Sequence, residues 1–135
     1  MDKIEHIGIA VKNLEASNSL FAKLLGVPHY KTEEVESEGV KTSFFKSGPN
    51  KMELLEATIP ESPIAKFLEK KGEGIHHIAF AVDDIVAEIS RLKSEGFAIL
   101  NETPKKGADN KLVAFLHPKD TNGVLVELCQ EIKAE

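Results

Sequence analysis

The chain has no tryptophan, one tyrosine and one cysteine. A single thiol, Cys129, cannot close an intramolecular disulfide, so the fold draws no support from an oxidising compartment. The shortage of large aromatic rings argues against a pocket that binds flat ligands by stacking. No stretch reaches the roughly 18 apolar residues of a membrane span, and Met1-Asp2-Lys3 runs straight into a strand pattern rather than a signal peptide. Positive charge is not in excess either. Lys and Arg number 17 against 22 Asp and Glu, a formal net charge of -5, and the interspersed signs exclude the basic face that nucleic acid requires. The expectation is a soluble, cytoplasmic protein that has neither nucleic acid nor membrane as a partner.

What is present is a repeat. Glu5-His6-Ile7-Gly8-Ile9-Ala10-Val11 returns as His76-His77-Ile78-Ala79-Phe80-Ala81-Val82, and Lys51-Met52-Glu53-Leu54-Leu55 is echoed by Leu125-Val126-Glu127-Leu128-Cys129. Each copy opens on an alternating strand and passes into a helix. Asn13 caps the first helix and Gly26 ends it; Asp83 or Asp84 opens the second and Gly96 closes it. Short strands are expected at 30–35, 40–46 and 51–57, and again at 97–100, 111–117 and 124–130. Extra residues in the second copy fit a turn at Asp120-Thr121-Asn122-Gly123. The reading is one α+β domain over 1–135, made of βαβββ modules at 1–58 and 75–135 with a linker helix in 59–74. Neither module can cover its own sheet, so they should pair into a curved eight-stranded mixed sheet with the helices outside.

Strand alternation then makes a chemical prediction. His6, Gly8 and Ala10 share one face of their strand, as do His77, Ala79 and Ala81, while the bulky residues occupy the other face. Glu53 and Glu127 point away from the apolar residues beside them. Buried carboxylates need a compensating charge or hydrogen bonds, and two imidazoles with two carboxylates suit one divalent ion, Zn, Co, Ni or Mn. His6, Glu53, His77 and Glu127 are therefore the expected metal ligands. His76 lies on the opposite face from His77 and reads as structural or supporting. His29 reads as a surface residue, Cys129 as a packing residue, and Glu33, Glu34, Glu36 and Glu38 as a solvated edge.

This pattern resembles the vicinal oxygen chelate superfamily, which includes glyoxalase I, and within it the methylmalonyl-CoA epimerase family. The segments Val113-Ala114-Phe115-Leu116-His117-Pro118-Lys119 and Gly123-Val124-Leu125-Val126-Glu127-Leu128 carry the finer likeness. The resemblance implies a homodimer that interconverts (R)- and (S)-methylmalonyl-CoA by moving the α-proton through a metal-stabilised enolate; Glu127 and Glu53, which come from different modules, are the expected acid–base pair, as the matching pair is thought to act in glyoxalase I. It also makes His117 a substrate contact; the polyphosphate tail of an acyl-CoA calls for cationic groups, for which Lys105, Lys106 and Lys119 are candidates, each equally readable as an ordinary surface lysine. Where some members place a second base after a Gly-Val pair, Gly39-Val40 here leads to Thr42. A glyoxalase I type isomerase of hemithioacetals is the main alternative, followed by a non-catalytic binding protein. An extradiol dioxygenase fits less well, since its two-His, one-carboxylate iron site has no use for a fourth protein ligand.

Overall fold

The computed structural model describes residues 1–133, and these fall into two compact units, one of His6–His76 and one of Met1–Glu5 together with the chain from His77 onward. Among the described residues the chain forms eight strands, with both parallel and antiparallel pairing inside each unit. The first unit carries most of β1 (Ile4–Ala10), then α1 (Leu14–Leu25), β2 (Lys31–Val35), β3 (Val40–Ser47), β4 (Asn50–Ala57) and α2 (Pro63–Lys71). β1 runs parallel to β4, whereas β4 with β3 and β3 with β2 are antiparallel. This is the expected βαβββ order.

α1 begins where the Asn13 side chain accepts a hydrogen bond from the Ala16 N–H, and ends at Gly26, whose φ of 75° suits glycine. Its inner face, Phe21, Ala22 and Leu25, packs on Ile9, Val11, Phe45, Met52 and Leu54. Phe45 and Leu54 are fully buried, and each such side chain stabilises the fold by about 1.5–3 kcal/mol relative to exposure. The Ser62 side chain caps α2, and Pro63 opens it.

Here the structure departs from an arrangement with every helix on the bulky face. Ile64, Phe67 and Leu68 of α2 pack on Val35, Val40, Leu55, Ala57 and Ala10. Ala10 and Leu55 lie on the same strand faces as His6 and Glu53. The space left by the small side chain of Ala10 is thus filled at this end by Ile64, only 2% exposed.

In the second unit β5 (Gly74–Ala81, entering from the first) is followed by α3 (Ile85–Ser94), β6 (Lys105–Gly107), β7 (Lys111–Phe115) and β8 (Val126–Glu131). β5 and β8 are parallel, and β8–β7 and β7–β6 are antiparallel. Asp84 caps α3 by accepting from Ala87 N–H, and Ile85, Ile89 and Leu92 pack on Val82, Ala114, Leu116 and Leu128.

One strand is displaced from its expected position. Residues 97–100 pair through a single bridge, Ile99 with Leu116, flanked by the bonds Leu100 N–H to Phe115 O and His117 N–H to Ala98 O, and the longer ladder forms at Lys105–Gly107. The Asn101 side chain explains the gap: its amide donates to the Val113 carbonyl at 3.1 Å and accepts from the Phe115 N–H at 2.9 Å. It thereby satisfies β7 groups that a strand backbone would otherwise pair. Pro104, which lacks an N–H, separates this segment from β6.

Candidate active site built from two histidine–glutamate pairs

The same local construction occurs once in each unit. In the first, Gly8 of β1 stands opposite Glu53 of β4, and His6 precedes Gly8 by two residues on the same face. In the second, Ala79 of β5 stands opposite Glu127 of β8, with His77 two residues before it. A small residue directly across from each glutamate lets the imidazole lean over it. His6 Nε2 lies 3.3 Å from Glu53 Oε1, and His77 Nε2 lies 3.1 Å from Glu127 Oε1.

On its other side each glutamate is walled by a phenylalanine. Phe44 pairs with Glu53 and Phe115 with Glu127, and the Phe115 ring meets His77 edge-on at 6.3 Å. The sequence reading missed these walls, although both phenylalanines stand in corresponding positions of the repeat. All four polar residues are at most 6% exposed. Carboxylates this deeply buried require a positive or hydrogen-bonding partner.

The spacing within each pair fits metal ligation. Ligand bonds of about 2.0–2.2 Å set at right angles place neighbouring donor atoms about 3.0 Å apart, close to both observed separations. Each pair can therefore serve as two adjacent ligands of an ion.

The remaining candidates are distributed as follows. Thr42 points to the same face as Glu53, two register positions away. It is 1% exposed, and its hydroxyl oxygen has no hydrogen-bond partner among the described residues. Ser43, on the opposite face of the same strand, finds the Thr32 hydroxyl at 3.4 Å. Lys105 and Lys106 lie exposed on β6, and Lys119 is exposed in the short 3-10 turn Pro118–Asp120. His117 precedes that turn, and its Nδ1 accepts from the Lys119 N–H at 3.1 Å.

His76 turns away from His77 and packs edge-on against Phe67, 5.0 Å between ring centres. His29 is exposed beside Phe45. Cys129 is buried with Ala79 and Val113, as a packing residue should be. One lysine was not foreseen: Lys111 is 8% exposed on the face of β7 that also carries Val113 and Phe115.

No helix of the described residues is long and apolar enough to cross a membrane. Residues 5–115 match the family model of the glyoxalase/bleomycin resistance protein/dioxygenase superfamily. The ethylmalonyl-CoA/methylmalonyl-CoA epimerase of Cereibacter sphaeroides is 44% identical over 130 residues, covering 95% of this chain and 97% of that one. The mitochondrial methylmalonyl-CoA epimerase of Homo sapiens is 42% identical over 131 residues, 96% of this chain and 74% of that one. A solved methylmalonyl-CoA epimerase in complex with methylmalonyl-CoA and ammonium superposes with a TM-score of 0.95 at 35% identity, covering 100% of this chain and 98% of that one. With its doubled His–Glu construction and these relatives, the chain belongs to the glyoxalase/bleomycin resistance protein/dioxygenase superfamily and, within it, to the methylmalonyl-CoA epimerase family.

Proposed function

We propose that the protein is a metal-dependent epimerase of methylmalonyl-CoA, in which His6, Glu53, His77 and Glu127 together hold one divalent cation. The observation that carries this reading is the doubled pair: two buried imidazole–carboxylate contacts of identical construction, each spaced as neighbouring ligands. Two nitrogen and two oxygen donors suit Co, Zn, Ni or Mn, and a four-ligand set leaves open positions on a six-coordinate ion. When bound, such an ion supplies positive charge beside the oxygens on which negative charge grows as the α-proton leaves.

The chain's own groups do the proton work. Glu127 takes the α-proton from one face of the substrate carbon and the C–H electron pair moves into the thioester carbonyl; Glu53, having first taken a proton from solvent, delivers it to the other face, and Glu127 then returns its proton to solvent. One C–H bond breaks and one forms, so no redox partner is needed. Phe44 and Phe115 flank the two carboxylates and keep water from them, which strengthens the electrostatic interactions at the site. The Thr42 hydroxyl is too weak a base for the second role at neutral pH, which leaves it to Glu53. Lys105, Lys106 and Lys119 are the cations assigned to the acyl-CoA phosphates. A cytoplasmic homodimer completes the reading, with light scattering on the purified protein as the check on its state of association.

The deciding experiment strips the protein of metal, reloads it, and follows (R)-methylmalonyl-CoA in deuterated water. Turnover should appear only after reloading, with solvent deuterium at the α-carbon of both diastereomers. A loaded protein that leaves the substrate unchanged would sink the proposal.

A further inference from the structure

We infer that Asn122 is a self-modification site: it deamidates through the backbone nitrogen of Gly123, and the folded turn around the two residues holds that reaction shut. The inference stands apart from the epimerase reading and needs no ligand.

Six asparagines occur in the chain, and only Asn122 is followed by glycine. Deamidation begins when the amide nitrogen of the next residue attacks the asparagine Cγ. A C–N bond forms and closes a five-membered imide, the Cγ–Nδ2 bond breaks, and Nδ2 leaves as ammonia with the proton of the attacking amide. Water then opens the imide at either carbonyl to give aspartate or isoaspartate, with no change of oxidation state. Glycine has no Cβ to hinder the approach, and Asn122 and Gly123 are both exposed to water. Residue types and exposure thus favour the reaction.

The backbone opposes it. Asn122 has a φ of 57°, in the left-handed region where ψ is about +30 to +60°. At that ψ the Gly123 nitrogen lies nearly opposite Cβ across the Cα–C bond, whereas closing the imide ring needs the two nearly eclipsed. The peptide unit must therefore swing through almost half a revolution before the reacting atoms meet. Hydrogen bonds resist the swing. The attacking nitrogen itself donates to the Pro118 carbonyl at 2.8 Å, the Thr121 N–H donates to the same oxygen at 3.1 Å, and the Val124 N–H bonds to Thr121 O at 3.1 Å. The Thr121 hydroxyl lies 2.5 Å from the Val124 carbonyl oxygen and 3.4 Å from that of Pro118. The turn guards its own weak point, and reaction proceeds from the locally opened fraction. Once it has happened it is one-way. Isoaspartate lengthens the main chain by a methylene, and either product adds a negative charge. Just beyond the turn, Leu125 O accepts from the Ile78 N–H at 3.1 Å and Val126 O from the Leu116 N–H at 3.0 Å, so loosening here reaches the start of the strand that carries Glu127.

The test incubates the full chain at mildly alkaline pH, once folded in buffer and once unfolded in guanidinium chloride. Mass spectrometry follows the peptide spanning Thr121–Val124 for the gain that exchanges ammonia for water. The unfolded chain should deamidate at Asn122 at least about tenfold faster than the folded one, since several hydrogen bonds must open together in the turn. Equal rates in the two states, or no reaction at Asn122 in the denaturant, would overturn the inference. Thr121→Val removes the hydroxyl that spans the turn. Shown by circular dichroism to be folded, it should deamidate severalfold faster than wild type in buffer and at the wild-type rate in denaturant; an unchanged rate in buffer would equally overturn the gate. Asn122→Gly keeps a residue at ease with positive φ and should abolish the acidic species that ion exchange separates from aged wild-type protein. Acidic species that form in that variant at the wild-type rate would place the reaction elsewhere. The separated wild-type species should melt below the unmodified protein, and an unchanged melting temperature would show that the turn survives the modification, against the inference.

Discussion

The Glu56 carboxylate accepts a hydrogen bond from the Leu14 N–H at 2.8 Å, which ties the first turn of α1 to strand β4. The second half repeats the contact with an amide in place of the acid, Gln130 accepting from the Ile85 N–H at 2.7 Å. Each acceptor sits three residues after a site glutamate, Glu53 or Glu127, and so faces the opposite side of its strand. One strand thereby presents an acid to the site and an anchor to the helix.

Removing either anchor should loosen the helix start without touching the chemistry. Glu56→Ala and Gln130→Ala are each expected to cost about 0.5–2 kcal/mol, the range for a lost helix cap, as measured by urea denaturation. Turnover at a temperature where both variants remain folded should stay near wild type.

The site glutamates should show the reverse behaviour. Glu127→Gln and Glu53→Gln keep size and hydrogen-bonding capacity, so the melting temperature of the metal-free protein should change little. Loss of a positioned base should lower turnover about 10²–10⁴-fold. Full activity in Glu127→Gln would remove it from the proton path.

Metal content offers a separate check. Elemental analysis of the loaded protein is expected to find about one divalent ion per chain, and His6→Ala or His77→Ala should reduce that occupancy. Because an ion that binds only the folded state stabilises it in proportion to RT ln(1 + [L]/Kd), the melting temperature should climb with added metal in wild type. It should climb much less in either histidine variant.

Thr42 carries a buried hydroxyl that has no partner among the described residues. Valine has nearly the same shape without the polar group, and burying an unpaired hydroxyl costs about 1–3 kcal/mol. Thr42→Val should therefore raise stability by about 1 kcal/mol in chemical denaturation. A loss of stability instead would mean that a polar contact holds Thr42 in solution.

Gly39 tests the backbone. Its φ is +63°, and an added Cβ would fall 2.6 Å from Ile59 Cγ1 and 3.2 Å from Ser62 Cβ. Gly39→Ala combines a left-handed backbone with this crowding and should destabilise the protein by more than about 1 kcal/mol. Far-ultraviolet melting curves measure the loss.

The repeat made the two histidine–glutamate contacts legible in the sequence, because four chemically matched residues at strand positions are hard to explain as isolated structural side chains. Strand parity then placed His6 with Glu53 and His77 with Glu127, as the contact distances now show. The features that escaped were those set by distant partners. Asn13 and Asp84 announce their helices from the adjacent residue, whereas Glu56 and Gln130 reach helix starts 42 and 45 residues away. The shortened pairing at 97–100 depended on Asn101 standing in for backbone, which hydrophobic alternation does not encode. The face taken by α2 was equally hidden: its apolar stripe shows that it packs but not on which side of the sheet.

The boundary between the two compact units falls inside β1, between Glu5 and His6. Asp2 and Lys3 exchange hydrogen bonds with Ala81, near the end of β5. A fluorophore attached at residue 2 or 3 therefore reports on the unit that resumes at His77. Trimming a few leading residues would deprive that unit, and not the one encoded beside them, of its edge.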